Sequence, residues 1–398
     1  MRISTANAYE SGLTTLTRRQ TELSEAQERL TSGKRVSKAS DDPAAAARAE
    51  RALARVMRTQ TSERAVEASR SAMEQAEGTI ADATELMQDA RELLVAAGNA
   101  GYSDAERQGL AERLRGIREQ LLKVANRGDG AGGYVFGGQS ATEPPFVDAP
   151  GGVQFRATGG QLQTEPSTAL PLTTDGQATW MRARSGNGFF ETRAVSSTTA
   201  WIDGGRVTDP SALTDSTYTL QFSVDAAGAT TYAVLKDGAA TAVTAAPYTA
   251  GQAIEVDGMN FSISGAPAQG DSFEIVPSAS TLTVFDALDR AVAELATPSR
   301  TGAQIAQSNA QNLRNLDSVL GTMQAARSEA GEVLNRIDAE NARLAEQKVA
   351  GQAERSVAED LDMVQAISDF QTRQTGYDAA LKSYSMVQRL SLFQYLNG

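Results

Sequence analysis

Apolar side chains recur at every third or fourth position over the first part of the chain. Alternating spacings of three and four residues are typical of the seam of a coiled coil. Gly33 follows the stripe, and a glycine just beyond a helical run commonly ends the helix. The pattern predicts a helical arm over residues 1–42. Four leucines form most of its stripe: Leu13, Leu16, Leu23 and Leu30.

A second helical region is expected to begin at Pro43. Asp42 stands directly before this proline, and an aspartate N-cap followed by proline at the first helical position is a common helix start. Between residues 66 and 97 the apolar positions keep a period of about 3.5 residues, which predicts a long helix. Ser103 is placed to cap a shorter helix after it. We therefore predict the N-terminal part of a helical rod over residues 43–138.

The C-terminal third repeats this organisation. Leucine and methionine positions between residues 313 and 344 predict one long helix, so residues 284–352 are expected to complete the rod. A polar patch around Gly351 predicts a break in the helix. Beyond it, an amphipathic helix beginning near Val357 and reaching the chain end predicts a C-terminal arm over residues 353–398.

The segment between the helical regions, residues 139–283, has a different texture. It is rich in threonine, glycine and alanine, and its short runs alternate apolar with polar residues, as strands do. The clearest hairpin is predicted at the turn Asp257-Gly258. Ten of the eleven prolines lie between residues 144 and 298, where long helices are therefore not expected. We predict an inserted β-rich outer domain whose core is anchored by Trp180 and Trp201.

The two helical arms are expected to pair with each other. Each presents a long apolar stripe that needs cover, so the termini should meet as antiparallel arms that form a coiled coil. The predicted fold class is mainly α with an inserted β-domain. Helical segments flank the insertion on both sides in the sequence.

One pair of helices cannot bury the terminal stripes on all sides. Burial of a leucine side chain is worth roughly 1.5–3 kcal/mol, so several exposed leucines favour association with other subunits. The alternative is that the stripes form only an intramolecular core. Association is the preferred interpretation, and the predicted assembly interface comprises Leu13, Leu16, Leu23, Leu30, Leu381, Tyr384, Leu390, Phe393 and Leu396.

Charge and composition narrow the functional classes. The net charge is -12, which disfavours nucleic acid and anionic membrane as partners. The chain has no cysteine and no histidine, so it lacks the commonest general base and the commonest transition-metal ligands. Residues 1–30 contain no apolar core of a secretory signal, so we expect a cytoplasmic protein or one exported by another route.

Two motifs resemble a known family. The run from Leu30 to Val36 and the Ser40-Asp41-Asp42-Pro43 segment resemble the N-terminal signature of flagellins and flagellar hook-associated proteins. The Gly133–Gly138 segment and the closing residues 390–394 look more like hook-associated proteins than like flagellins. The residues that carry the signature are Gly33, Arg35, Ser40, Asp41, Asp42, Pro43, Tyr134 and Phe136.

This resemblance implies a structural flagellar subunit that joins the hook to the filament and associates with itself through its terminal helices. It further implies contacts with the hook-side junction protein and with flagellin, and an export chaperone. The family is exported unfolded through the flagellar type III apparatus without a cleaved signal, which implies an extracellular location at the hook-filament junction. No cofactor, metal, nucleic acid or membrane is expected as a ligand or partner.

Three alternatives remain open at this stage. The chain could be flagellin, the filament subunit itself, which shares the arms and the export route. It could be a surface adhesin or carbohydrate-binding module whose β-domain acts and whose helices form a stalk; its function would then survive loss of both termini. An enzyme with a pair of acids in the β-domain would lose turnover on a single acid-to-amide change.

Overall fold

The computed structural model describes the backbone of residues 2–99, 101–139, 142–164 and 169–396, and the side chains of residues 9–99, 101–139, 142–164 and 169–386. The chain divides into two compact units. One, called the arm unit here, comprises Met1–Arg64 and Glu340–Gly398. The other, called the body unit, comprises Ala65–Ala339.

Most of the chain is helical, and the long helices precede and follow a β-rich segment in the sequence, as predicted. Helices α2 and α6 contribute residues to both units. The seven helices of the described residues are α1 (Arg2–Ser32), α2 (Pro43–Ala97), α3 (Asp104–Ala125), α4 (Gly176–Met181), α5 (Val284–Ala296), α6 (Gly302–Glu359) and α7 (Met363–Leu396).

The strands lie between α3 and α5, and all their pairings are antiparallel. The described residues contain twelve of them: β1 (Phe146–Ala149), β2 (Gly152–Phe155), β3 (Phe190–Ser196), β4 (Ala200–Ile202), β5 (Arg206–Val207), β6 (Tyr218–Val224), β7 (Thr230–Lys236), β8 (Ala239–Ala240), β9 (Ala246–Pro247), β10 (Ala253–Val256), β11 (Met259–Gly265) and β12 (Ser272–Pro277).

The predicted helix starts are confirmed, and side chains explain them. Asp42 Oδ1 accepts the N–H of Ala45 at 2.9 Å, and Pro43 is the first residue of α2. At α3, Ser103 Oγ accepts the N–H of Glu106 at 3.3 Å while the Glu106 carboxylate accepts the N–H of Ser103 at 2.7 Å. This reciprocal capping box satisfies two backbone donors that the helix itself leaves unpaired.

The predicted break near Gly351 is wrong, because α6 continues to Glu359. A Cβ added at Gly351 would lie 2.9 Å from Cγ2 of Val56, so this glycine permits close approach of α2 and α6 in the arm unit. The break falls instead at residues 360–362. Leu361, expected inside the last helix, therefore lies between α6 and α7.

The helical part of the body unit is built around one face of α2. Ile80, Met87 and Leu94 are completely buried there and belong to one apolar cluster with residues of the other helices. Their seven-residue spacing confirms the predicted period of about 3.5. Buried residues of α3, α5 and α6 complete this helical core: Leu114, Leu121, Phe285, Leu288, Leu316 and Met323.

Trp180 does not anchor the β-domain, contrary to the prediction. It is 1% exposed and lies in the helical core, parallel to Phe285 with ring centroids 6.0 Å apart. Phe136 meets its ring edge-on at 5.4 Å, and Phe146 lies 5.9 Å away. The β1–β2 hairpin and α4 therefore pack with the helices, because the rings of Phe146 and Trp180 contact Phe285 of α5.

A buried arginine fixes that hairpin in place. Arg118 of α3 donates to both carboxylate oxygens of Asp148 on β1 and to Asp289 of α5, with the Arg118 Nε to Asp289 Oδ1 distance at 2.8 Å. These hydrogen bonds, chiefly that with Asp148, raise the pKa of Arg118 above its ordinary value. The fork geometry of the guanidinium holds two separate elements against α3.

The β-domain, defined by strands β3 to β12, has its own core. A six-stranded sheet contains β3, β12, β6, β7, β8 and β9, and a four-stranded sheet contains β10, β11, β4 and β5. One apolar cluster includes residues from both, among them Phe222, Ile202 and Phe261. The predicted Asp257-Gly258 hairpin is confirmed: it joins β10 to β11, with φ values of 42° and 77° at the two turn residues.

Candidate assembly interface

The two termini form an antiparallel helix pair in the arm unit, as predicted. The ring centroids of Tyr9 and Tyr384 lie 5.6 Å apart, which places the start of α1 against the end of α7. Further along, Arg373 Nη1 donates to the Glu22 carbonyl oxygen at 3.4 Å. A hydrogen bond with Tyr9 raises the pKa of Tyr384. The pairing partly covers one side of each helix and leaves the other side exposed to solvent.

The predicted interface residues fall into three groups. Leu13 and Leu381 are each 47% exposed on the α1–α7 pair. Four residues are partly buried: Leu16, Leu23, Leu30 and Tyr384. Three side chains lie outside the described residues: Leu390, Phe393 and Leu396. A purely intramolecular core does not account for Leu13 and Leu381, since the helix pair leaves about half of each side chain uncovered.

The arm unit exposes further apolar side chains that were not predicted as interface residues. Val357 and Val364 are each 83% exposed, and their seven-residue spacing continues across the break between α6 and α7. Their place among the regularly spaced apolar residues of the predicted last helix is the sequence signal that could have identified them. Three more large apolar side chains of the arm unit are more than half exposed: Met57 (56%), Val349 (64%) and Met386 (64%).

The family-like motif forms a turn between α1 and α2, residues 33–42, that is bonded to the break between α6 and α7. Gly33 has φ of 68°, a left-handed conformation that glycine adopts without steric strain. Its carbonyl accepts the N–H of Leu361 at 3.0 Å, and the N–H of Arg35 donates to the Glu359 carbonyl at 2.7 Å. We name residues 33–42 the signature turn.

Side chains reinforce the signature turn. Arg35 Nη2 donates to the carbonyl of Ala358 at 2.8 Å, and Nη1 lies 3.4 Å from Asp42 Oδ2. Lys34 forms an ion pair with Glu359 at 3.4 Å. The N-terminal turn and the C-terminal break are thus joined by backbone and side-chain hydrogen bonds, so the direction of α1 and the start of α7 are set together.

The two aspartates of the motif act as acceptors for backbone donors. Asp41 Oδ2 accepts the N–H groups of Ser37 and Lys38 at 3.1 and 3.0 Å. The hydrogen bond from Lys38 is the main cause that lowers the pKa of Asp41, and that from Ala45 is the main cause that lowers the pKa of Asp42. Ser40 is exposed within the turn. Turn formation and helix capping thus explain these carboxylates.

The remaining two motif residues lie where the chain leaves α3. Phe136 is completely buried in the helical core against Trp180. Tyr134 is partly buried and forms an isolated β-bridge with Gly128. Both therefore help to fix the segment that leads from α3 towards the β-strands.

The described residues offer little that resembles a chemical site. No group of three or more Asp, Glu, His or Cys side chains in that part of the chain could hold a metal ion. None of the described helices combines the length and apolar content needed to cross a membrane. The feature that stands out is the partly uncovered apolar surface of the α1–α7 pair.

Comparison with known families identifies the class of protein. Residues 3–141 match the bacterial flagellin N-terminal helical region, and residues 313–396 match the bacterial flagellin C-terminal helical region. Residues 191–277, which hold most of the β-domain, match the D2-like domain of flagellar hook-associated protein 1. The chain therefore combines flagellin-type helical ends with an inserted domain of hook-associated type.

Similar individual proteins place the chain more finely within the flagellin-like class. Flagellar hook-associated protein 3 of Salmonella typhimurium is 33% identical over 152 residues, which are 38% of this chain and 48% of that protein, so the match spans about half of the relative's length. Flagellar hook-associated protein 3 of Escherichia coli is 25% identical over 399 residues, 99% of both chains. The crystal structure of the flagellar junction protein FlgL from Legionella pneumophila has a TM-score of 0.66 and 27% identity, covering 73% of this chain and 98% of that one. The chain belongs to the flagellin superfamily, in the group of flagellar hook-associated protein 3.

Proposed function

We propose that this chain is a structural subunit that joins the hook to the filament of the bacterial flagellum and acts by assembly, not by catalysis. The observation that carries the proposal is the α1–α7 pair, on which Leu13 and Leu381 remain 47% exposed after the two helices have covered each other. Apolar surface that a chain cannot cover by itself favours association with other subunits.

The proposed partners are further copies of this chain, the hook-side junction protein and flagellin. The likeness of both helical ends to flagellin supports contacts with other axial subunits, which would present the same kind of helix pair. An export chaperone that covers the terminal stripes before assembly is part of the proposal, because exposed apolar helices aggregate when they have no partner. Nucleic acid and membrane are not proposed as partners.

The proposed location is extracellular, at the junction between hook and filament. We propose that the chain is exported through the flagellar type III apparatus without cleavage of its N-terminal segment. Family membership supports this route. Flagellin remains the second candidate because the helical ends match flagellin regions, but the β-domain matches a hook-associated protein, which favours the junction.

Replacement of Leu381 by aspartate is expected to weaken subunit association at least about tenfold, because a charge would enter an apolar contact without a partner. The measurement is sedimentation velocity over a series of protein concentrations. Ser383→Asp is the matched control: Ser383 is exposed two residues away on α7, and the substitution adds the same charge. Equal association of the Leu381→Asp variant and the unchanged protein would remove Leu381 from the interface.

A further inference from the structure

The β-domain and the helices of the body unit do not share an apolar core. The cluster inside the β-domain consists of residues from 190 to 275, and no described helix contributes to it. The helical core in turn contains no residue of the segment 190–277. Whatever holds the β-domain against the helices is therefore not a continuous hydrophobic core, which is the usual source of a rigid domain interface.

Polar contacts connect the β-domain to α6 instead. Two glutamines on successive turns of α6 and the threonine that precedes the helix make hydrogen bonds to the β-domain. We call these three contacts the polar latch: Gln307 Oε1 accepts the N–H of Ile202 at 2.8 Å, Gln311 Nε2 donates to Glu191 Oε1 at 2.6 Å, and the Thr301 hydroxyl donates to the carbonyl of Thr198 at 2.6 Å.

Some buried polar atoms near the latch have no hydrogen-bond partner among the described residues. Gln307 Nε2 and Arg314 Nη2 are buried without a hydrogen-bond partner in the described part of the chain. Arg314 packs so closely under the β-domain that a Cβ added at Gly204 would lie 2.7 Å from its Cδ. Burial is the main cause that lowers the pKa of Arg314. Buried polar groups without partners oppose docking, so part of the stabilisation from the three hydrogen bonds is offset.

The covalent connection between the two parts is a narrow stem of two chain segments. Ala183 and Leu282 exchange two backbone hydrogen bonds at 3.0 and 3.1 Å. One step further, the N–H of Ser185 donates to the carbonyl of Ala279 at 3.0 Å, and the Ser278 hydroxyl donates to the carbonyl of Ser185 at 2.7 Å. The stem is closed by its own hydrogen bonds and does not depend on the latch.

We propose that the β-domain is a releasable module: the polar latch opens and the domain moves away from α6 on its stem, while both apolar cores stay folded. Two self-contained cores, a polar and partly unsatisfied contact between them and an independent stem all favour this motion over a fixed arrangement. The proposal does not depend on the role of the terminal helices in assembly.

Strand β4 provides an internal reporter of release. It pairs with β11 on one side only, so its successive amides point alternately towards β11 and away from it. The N–H of Ile202 points away and donates to Gln307 on α6, whereas the N–H of Asp203 donates to the carbonyl of Ser262 inside the β-domain at 3.0 Å. Release breaks the first bond and leaves the second.

Residue-resolved amide hydrogen exchange of the full chain tests the proposal. We expect the protection factor of Ile202 to be at least about tenfold lower than that of Asp203, because opening of the latch costs less free energy than unfolding of the sheet. Protection factors remove the difference in intrinsic exchange rates between the two residues. Equal protection of both amides would show that the latch opens only with the sheet, and the proposal would fail.

A covalent lock separates domain release from local fraying of β4. The chain has no cysteine, so a Thr198→Cys/Thr301→Cys variant contains a single possible disulfide. Oxidation is expected to raise the protection of Ile202 at least about tenfold, and reduction of the same sample is the matched control. Ile202 exchange that stays fast in the oxidised form would contradict domain release. Should the disulfide not form, the comparison of Ile202 with Asp203 in the unchanged chain decides alone.

Discussion

A chain that lacks residues 385–398 is expected to keep its body unit folded and to lose all measurable addition to hook ends. The deletion removes the last turns of α7, which extend to Leu396, together with Met386, whose side chain is 64% exposed. It also takes away the part of α7 next to Tyr384, which contacts Tyr9. The start of α1 would thereby lose its partner helix. Because isolated helical segments are marginally stable in water, we expect this part of α1 to unfold as well.

The measurement is electron microscopy of purified hooks mixed with the purified truncated protein, since this avoids any effect of the deletion on export. Far-UV circular dichroism and the unfolding midpoint of the body unit show whether that unit remains intact. If the truncated protein still adds to hook ends, the terminal helix pair is not the assembly surface and the proposed function is wrong.

Replacement of Trp180 by alanine is expected to lower the free energy of unfolding of the body unit by about 3–5 kcal/mol. The indole is 1% exposed between Phe136, Phe146 and Phe285, so its removal leaves a cavity that those rings cannot fill without large shifts. Urea unfolding followed by far-UV circular dichroism measures the change and does not require tryptophan fluorescence.

Two control variants make this prediction specific. Trp201→Ala deletes the same side chain from β4, where it is only partly buried and outside both apolar clusters, so a clearly smaller loss is expected. Trp180→Phe should be tolerated better than Trp180→Ala, because the indole N–H has no hydrogen-bond partner within the described residues and its removal leaves no acceptor unpaired. Equal losses for Trp180→Ala and Trp201→Ala would contradict the position of Trp180 in the helical core.

Features that depend on neighbours in the sequence could be predicted well. The start of α2 at Pro43, the cap at Ser103 and the hairpin at Asp257-Gly258 all follow from the conformations that these residues favour over a few positions, and all three are observed. The long helices were equally clear because their apolar period persists over many turns.

Features that depend on distant contacts could not be predicted in this way. Gly351 looks like a helix terminator by local propensity, but it lies inside α6 because the close approach of Val56 favours a residue without a side chain. Trp180 lies in a segment of β-like composition and was assigned to the wrong core. Only the three-dimensional position of Phe285, about a hundred residues later in the chain, shows where the indole packs.

The candidate interface was predicted in part. The exposure of Leu13 and Leu381 agrees with the terminal stripes read from the sequence, while Val357 and Val364 were not recognised as candidate contacts. The sequence placed both in one last helix, whereas they flank the actual break at residues 360–362 and lie on different helices. Whether the described leucines contact other subunits stays a prediction.

Seeded assembly tests the central claim most directly. The purified protein is mixed with hook fragments and, separately, with filament fragments. The polymers are pelleted, and their ends are inspected by electron microscopy. A junction subunit is expected to form a limited cap on hook ends without elongation. Long filaments built from this protein alone would instead identify it as the filament subunit and contradict the proposed role at the junction.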